Sequence, residues 1–363
     1  MPSGPASSSG SADVTAPTVE SLARFAQPLP GVRFRGFRGL DADLPGMFEA
    51  ARLARLADGD IEPLDLGAMR ATYAHLERSD PARDILVVER GHEIVGYARV
   101  QWGDANDGGR YYDAFCFLRP DARRRGIGRA MLAWSEDRRR VIAADHAAAG
   151  EGLDRPHWLT TFVHDGDPGG RALLEAAGYE PFRRFFSMVR SELESIPDVP
   201  LPDGLEVRPI PRDPVALRQV FDAAGEAFRD HFGWVDDSDE AFAGFIEDPA
   251  TDPDLWLVAF DGDEVAGAVL NGIRRRCDGG ADEGWLDSVF TRRPWRRRGL
   301  ARALIVRSLN LLRDRGLQSA ALGVDAQNPN EALSLYESCG FRMASSSTAY
   351  RTTVRPKQTD GLR

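Results

Sequence analysis

Apolar residues along the second part of the chain follow two rhythms. Leu255 to Phe260 and Glu264 to Asn271 are dense in Leu, Val, Ala and Trp. Between them stands Asp261-Gly262-Asp263, residues that accept the positive φ of a tight turn, so the pattern predicts a β-hairpin. From Leu300 to Arg315 the apolar positions recur every three or four residues, the period of an amphipathic helix, and Gly316 ends it. The same reading predicts strands at Leu205 to Arg208, Trp285 to Thr291, Leu317 to Val324 and Ala349 to Val354. It predicts helices at Pro214 to Arg229, Asp239 to Ile246 and Pro329 to Ser338, the last closed by Gly340. Strands and helices alternating in this way imply a mixed α/β (α+β) sheet with helices packed on it.

The first part repeats the second. ILVVERGHEIVGYA from Ile85 lies over LWLVAFDGDEVAGA from Leu255, with Glu93 over Glu264 and Gly96 over Gly267. RRRGIGRAML from Arg123 matches RRRGLARALI from Arg296, and LLEAAGY from Leu173 matches LYESCGF from Leu335. The matches are collinear, and their spacing drifts by one insertion around Ala143 to Arg155, so the chain is read as two tandem copies of one fold. Ser191 to Gly204 carries Pro197, Pro200 and Pro202 among acidic residues, the composition of a stiff linker. The expected organisation is a disordered Ser/Pro/Gly-rich tail at 1–30, a first domain at 31–190, a linker at 191–204, a second domain at 205–355 and a short tail at 356–363.

Composition narrows the function. A length of 363 residues, 42% apolar and 28% charged, is ordinary globular chain for two cores. The net charge of −10 repels nucleic acid and anionic lipid, so neither is expected as a partner and any anion site must be local. Cys116, Cys277 and Cys339 are too few and too scattered for a disulfide framework or a zinc knuckle. No metal site is expected, and a reducing cytoplasm suits them. No run of about 18 apolar residues marks a membrane span.

Local positive charge is concentrated at Arg296, Arg297 and Arg298, followed by Gly299, Leu300 and Ala301, where a strand gives way to a helix. At such a junction unpaired backbone N–H groups meet the positive end of the helix dipole, and a glycine admits a phosphate closely. The spacing is neither that of a triphosphate loop nor that of a dinucleotide fingerprint. Further on, VDAQNPNEALSLYESCGF from Val324 to Phe341 adds Asn328 and Tyr336.

Together, the arginine-glycine turn after a strand, the strand ending near Asp325 and the Asn, Tyr and Gly-Phe that follow closely resemble the GCN5-related N-acetyltransferases. The likeness runs over Leu205 to Val354 and, more weakly, over Val32 to Arg190. It implies acetyl-CoA as acyl donor, with its diphosphate on Arg296 to Ala301, its thioester arm along Val289, Phe290 and Thr291, and a further contact from Asn328. Attack of an amine on a thioester builds charge on the carbonyl oxygen, which a strand N–H at Val289 or Phe290 is placed to stabilise. The departing thiolate needs a proton, which the Tyr336 phenol is suited to give. An amine protonated at neutral pH must lose a proton, and Asp287 on the same strand is the expected acceptor, with Glu283 in reserve. In EAFRDHFGW, Asp230, His231 and Trp234 are expected to touch the amine substrate.

In the first copy the turn survives as Arg123, Arg124, Arg125, Gly126, Ile127 and Gly128, so a second cofactor site is expected there. The catalytic positions do not survive. Leu174 falls where Tyr336 stands, Gly166 where Asn328 stands and Ala114 where Asp287 stands, so the first copy is expected to be non-catalytic. The expected activity is therefore acetyl transfer from acetyl-CoA to a small-molecule primary amine by direct attack in the second domain. Shared motifs leave open a peptide or protein amine as acceptor, and the rival reading is a non-catalytic acyl-CoA sensor. Oligomeric state is not legible.

Overall fold

A computed structural model describes residues 29–233, 237–274, 281–328 and 332–354. The first half runs β1 (Val32–Gly36), α1 (Leu40–Asp58), α2 (Leu66–Ala74), α3 (Pro81–Asp84), β2 (Ile85–Arg90), β3 (Glu93–Asp104), β4 (Arg110–Leu118), α4 (Ile127–Ala148), β5 (His157–His164), α5 (Pro168–Ala176) and β6 (Glu180–Arg190). The second repeats the plan with β7 (Glu206–Arg208), α6 (Pro214–Phe228), α7 (Asp239–Glu247), β8 (Leu257–Asp261), β9 (Glu264–Arg274), β10 (Glu283–Thr291), α8 (Leu300–Asp314), β11 (Ala320–Asp325), α9 (Ala332–Ser338) and β12 (Arg342–Thr353). The two tandem halves form one mixed α/β sheet, as the period reading predicts. The predicted strand at Ala349 is the end of a longer one, because Ser345, Ser346 and Ser347 carry no apolar alternation to announce it.

Twelve strands lie in the order β1-β2-β3-β4-β5-β12-β6-β11-β10-β9-β8-β7. The last strand of each half is exchanged. β12 pairs antiparallel with β5, Tyr350 opposite Thr161, and β6 pairs antiparallel with β11, Met188 opposite Leu322. β12 and β6 then pair with each other and join the halves. The exchange reaches into the cores. Tyr350 of β12 is buried with Met131, Trp134 and Leu159 of the first half, and Met188 of β6 with Leu304, Leu309 and Leu322 of the second. At about 2–3 kcal/mol per large apolar side chain removed from water, these contacts make each half depend on the other.

Each half has helices on both faces. α4 and α5 cover one face of the first half while α1 and α2 cover the other, and α8 with α9 and α6 with α7 do the same in the second. Among the described residues no helix is long and apolar enough to cross a membrane. Arg139 of α4, fully buried, donates to the carbonyls of Tyr112 on β4 and Thr160 on β5 and so holds the parallel β4–β5 pair from beneath. A charge buried that deeply is tolerable only because each of those donors finds an acceptor.

Candidate active site

The two arginine-glycine turns fold alike. Arg124 and Arg297, each with φ 63°, are the only non-glycine residues of positive φ among those described, and each is followed two residues later by a glycine with φ 86°. A turn with alternating hand points successive N–H groups inward, which makes an anion-binding concavity. α2, α5, α6 and α7 begin with an Asp or Ser side chain bonded to their first N–H groups, whereas α4 and α8 begin at Gly126 and Gly299 with no side-chain cap. A Cβ on Gly299 would meet nothing within 4 Å, so the concavity is open, and Arg297 has no ion-pair partner among the described residues. Ile127 and Leu300 are buried in the cores, leaving only their backbone to face a ligand.

The first arginine of each triplet is not available to an anion, contrary to expectation for Arg296. Arg296 donates to Asp230 at 2.7 Å and to the Thr291 carbonyl at 3.0 Å, and Arg123 donates to Asp58 at 2.6 and 2.8 Å and to the Leu118 carbonyl at 3.1 Å. These twin ties fasten the turn to the strand before it. Asp230, expected at the amine, is also held by Arg293. The two guanidinium groups keep its carboxyl well below the usual carboxylate range, so it is a brace rather than a proton acceptor. Arg298 donates to the Asp203 carbonyl at 3.1 Å, and Leu29 lies 3.5 Å from where a Gly126 Cβ would stand. Leu29-Pro30-Gly31 and Leu201-Pro202-Asp203-Gly204 thus each reach one turn, the first by a side chain against Gly126 and the second by a carbonyl on Arg298, and form a short repeat that the larger matches obscured.

Beyond each turn the parallel strands part. β4 stays paired with β5 only from Arg110 to Ala114, and β10 with β11 only at Gly284 and Trp285. The freed edge of β10 is Ser288 to Thr291, where every second residue turns its N–H and C=O to the gap and the others stay bonded to β9. Val289 is partly buried with the α8 residues, Phe290 points to the α6 side with only its backbone at the edge, and Thr291 Oγ1 is buried without a hydrogen-bond partner. Against β9 the register slips between Leu286 and Ser288, making Asp287 the extra residue of a β-bulge, whereas β4 runs against β3 without a slip. Ala114 therefore corresponds to Leu286, and Asp287 has no counterpart in the first half.

Asp287 accepts from Arg274 at 2.6 Å and crowds Gly272, where a Cβ would stand 2.6 Å from its Oδ2. Asn271 points to α8 and bonds Ser308, so Gly272 and Asp287 lie on the opposite, α6–α7 side. Burial pushes the Asp287 carboxyl up to about 6 against the pull of Arg274. Tyr336 lies on the α8–α9 side, buried beside Leu300 and Val324 with its ring edge-on to Phe341 at 6.2 Å. Burial raises its pKa and keeps the phenol protonated. The two groups thus lie on opposite faces of the sheet. Glu283 is at the far end of β10, buried and accepting from Ser319 Oγ at 2.9 Å, away from the gap. Asn328 is in the turn after β11, its N–H donating to the Asp325 carbonyl. His231 packs edge-on against Phe228, and burial holds it neutral. Trp234 is outside the described residues.

A cavity of about 1310 Å³ opens in the first half. It runs from Arg124, Gly126 and Gly128 between β4 and β5 to Asp60, Glu62 and His164, and the exchanged strands contribute Phe185, Ser187 and Ser347 to its wall. Glu62 and His164 are in no sequence motif. Only the strand exchange, which the sequence does not reveal, brings Ser187 against Glu62.

The family profile described as acetyltransferase (GNAT) family matches residues 47–177 and 217–341. Two curated relatives are each 29% identical: a mycothiol acetyltransferase of Geodermatophilus obscurus, covering 83% of this chain and 91% of its own, and one of Clavibacter michiganensis, covering 93% and 97%. The fold is shared with a GCN5-related N-acetyltransferase from Sphaerobacter thermophilus (TM-score 0.65, 23% identity, 90% of this chain and 97% of that one). It is shared too with a tandem GNAT protein of the clavulanic acid biosynthesis pathway (TM-score 0.63, 17% identity, 90% and 100%).

Proposed function

Because the chain belongs to the acetyltransferase (GNAT) family, an N-acetyltransferase family served by acyl-CoA donors, we propose that its second half moves an acetyl group from acetyl-CoA to the primary amine of a small molecule. The single observation that carries the assignment is the Asp287 bulge. It coincides with the parting of β10 from β11, and the first half has neither the bulge nor a phenol at the position of Tyr336.

Bound acetyl-CoA supplies an activated acyl group and a thiol leaving group. The residues that would hold it are the N–H groups of Gly299, Leu300 and Ala301 with Arg297 and Arg298 at its diphosphate, and the free edge at Val289 to Thr291 along its arm. Asp287, largely ionised at neutral pH yet close to it in affinity for a proton, takes the proton of the incoming ammonium from the α6–α7 side. A β10 N–H stabilises the charge that grows on the carbonyl oxygen. From the other side Tyr336, held protonated, returns a proton to sulfur. The equivalent turn at Arg124 to Gly128 is assigned a cofactor-holding role without turnover. A pure sensor needs neither a base nor an acid astride the parted strands.

The tandem plan resembles mycothiol synthase, whose acceptor is a cysteinyl amine on a small sugar conjugate, and that amine heads the list to test. Such chemistry fits the cytoplasm, where the donor is made. Thiol release from acetyl-CoA with a panel of amines is the assay. Gly299→Glu, which puts a carboxylate into the turn, abolishes turnover, and Gly126→Glu leaves it. The reverse result moves the reaction to the first half.

A further inference from the structure

The cavity of the first half has two ends of opposite sign. At one end Arg124 and Arg129 line the wall beside the uncapped start of α4. At the other the carboxylates outnumber the cations: Arg123 serves Asp58 and, at 3.7 Å, Asp167, which also caps α5, while Arg55 serves both Asp60 and Glu62. Asp58 is taken by Arg123 at 2.6 Å, Asp325 by Arg183 at 2.7 Å and Asp60 by Arg55 at 3.4 Å. Glu62 has Arg55 only at 3.9 Å and otherwise Ser187 Oγ at 3.3 Å. Nearby, His164 accepts from the Gly166 N–H through Nδ1, while its Nε2 is buried without a partner.

Between the ends lies an aromatic floor. Phe115, Phe162 and Phe185 come from three strands of one face, with centroids 6.1 Å apart for the first pair and 5.7 Å for the second. Phe162 is 39% exposed, unusual for a phenylalanine in the middle of a sheet. Arg99 sits over Phe115 at 4.8 Å, which leaves Phe162 and Phe185 as the rings of the floor open to a ligand. Gly323, directly opposite Ser187 on β11, would direct a Cβ into open space and so widens the floor. The second half has Ser288 where repeat spacing places Phe115, so this floor belongs to the first half alone.

We propose that the first-half cavity binds a primary amine with an aromatic or bulky apolar body, the body on Phe162 and Phe185 and the ammonium at Glu62. A carboxylate whose one cation, Arg55, lies closer to Asp60 is matched by one added positive charge. Phenyl faces attract both the apolar body and the cation. A volume above the 300–1,000 Å³ or so of an ordinary small-ligand pocket leaves room for this ligand beside whatever occupies the arginine end. The inference goes beyond the acetyl transfer assigned to the second half and does not depend on it.

Phenethylamine is the probe, titrated calorimetrically into the full chain at pH 8 without acetyl-CoA, with 2-phenylethanol and ethylamine as controls. Phenethylamine binds with one site per chain, and each control binds at least about tenfold more weakly, because each lacks half of the recognition. Glu62→Gln and Phe162→Ala each weaken phenethylamine by a similar factor, while Glu62→Asp restores part of the loss and shows that the fold is intact. Gly299→Glu, in the other half, leaves binding unchanged. No heat at millimolar phenethylamine, equal binding to Glu62→Gln, or loss of binding in Gly299→Glu each overturns the proposal. Only the last of these would place the amine in the second half.

Discussion

Replacing Asp287 by asparagine separates what this carboxylate does for chemistry from what it costs the fold. For chemistry the ionised form is needed, so kcat/KM rises with pH through about 6 and levels off above. Removing a positioned general base typically lowers the rate about 10²- to 10⁴-fold. Asp287→Asn is expected to fall in that range and to lose the acidic limb. For stability the direction is opposite. A carboxyl whose folded pKa is raised from 3.8 to about 6 contributes stability that is complete below pH 3.8 and is lost as pH rises through 6. At about 1.4 kcal/mol per pKa unit the loss is at most about 3 kcal/mol, and the side chain's residual exposure of 29% screens it to roughly 1–2 kcal/mol. The asparagine variant therefore melts higher than wild type at pH 8 and equally at pH 4. Arg274→Gln, which removes the cation that lowers this pKa, moves the acidic limb to higher pH. The assays are thiol release at pH 5 to 9 and calorimetric melting at the two pH values. An Asp287→Asn enzyme within about tenfold of wild type, with the limb still in place, shows that the proton goes elsewhere.

Tyr336→Phe keeps the ring's packing beside Leu300 and Phe341 and removes only the proton donor, so steady-state kinetics show kcat reduced about 10²-fold or more with KM for acetyl-CoA nearly unchanged. Gly299→Ala forces an alanine to φ 86° and costs about 1–2 kcal/mol by denaturant melting even without ligand, a loss the same substitution at Gly323 does not show. Residues 29–204 and 205–354 expressed separately give no cooperative melt, because Tyr350 and Met188 are missing from the cores they fill, and mixing them during refolding restores the transition. His75, at the end of α2, bonds Glu247 at 2.8 Å and Glu240 at 2.5 Å across the halves, and these carboxylates raise its pKa. Its contribution, up to about 1 kcal/mol, is complete below pH 6.5 and fades as pH rises past the raised value, so His75→Ala lowers Tm at pH 6 and not at pH 9.

Elements whose apolar period is undiluted were readable from the chain: α8, the β8–β9 hairpin and β10 appear within a few residues of where the pattern puts them. β12 was only half visible because its Ser-rich start has no alternation to detect. Its place in the sheet was invisible, since local sequence encodes strand formation and not which neighbour a strand chooses when two equivalent gaps exist. At the site, the turns follow from glycine and strand-to-helix chemistry. The bulge does not, because one extra residue leaves composition unchanged. It is nonetheless what gives Asp287 its distinct position and removes any first-half counterpart. Asp230 is expected at the amine from its segment and Arg296 at the diphosphate from its turn, and only their mutual contact reveals that they hold the turn in shape.

The exchanged strands also constrain how the chain is made. Residues up to 190 leave the ribosome long before 342–353 are translated, so the nascent first half exposes the β5 edge that β12 later covers. An uncovered edge invites pairing with whatever strand is at hand, and the nearest is the chain's own β6. If β6 docks there first, it must be released before the finished protein can form. Vectorial synthesis then starts from an arrangement that maturation has to undo.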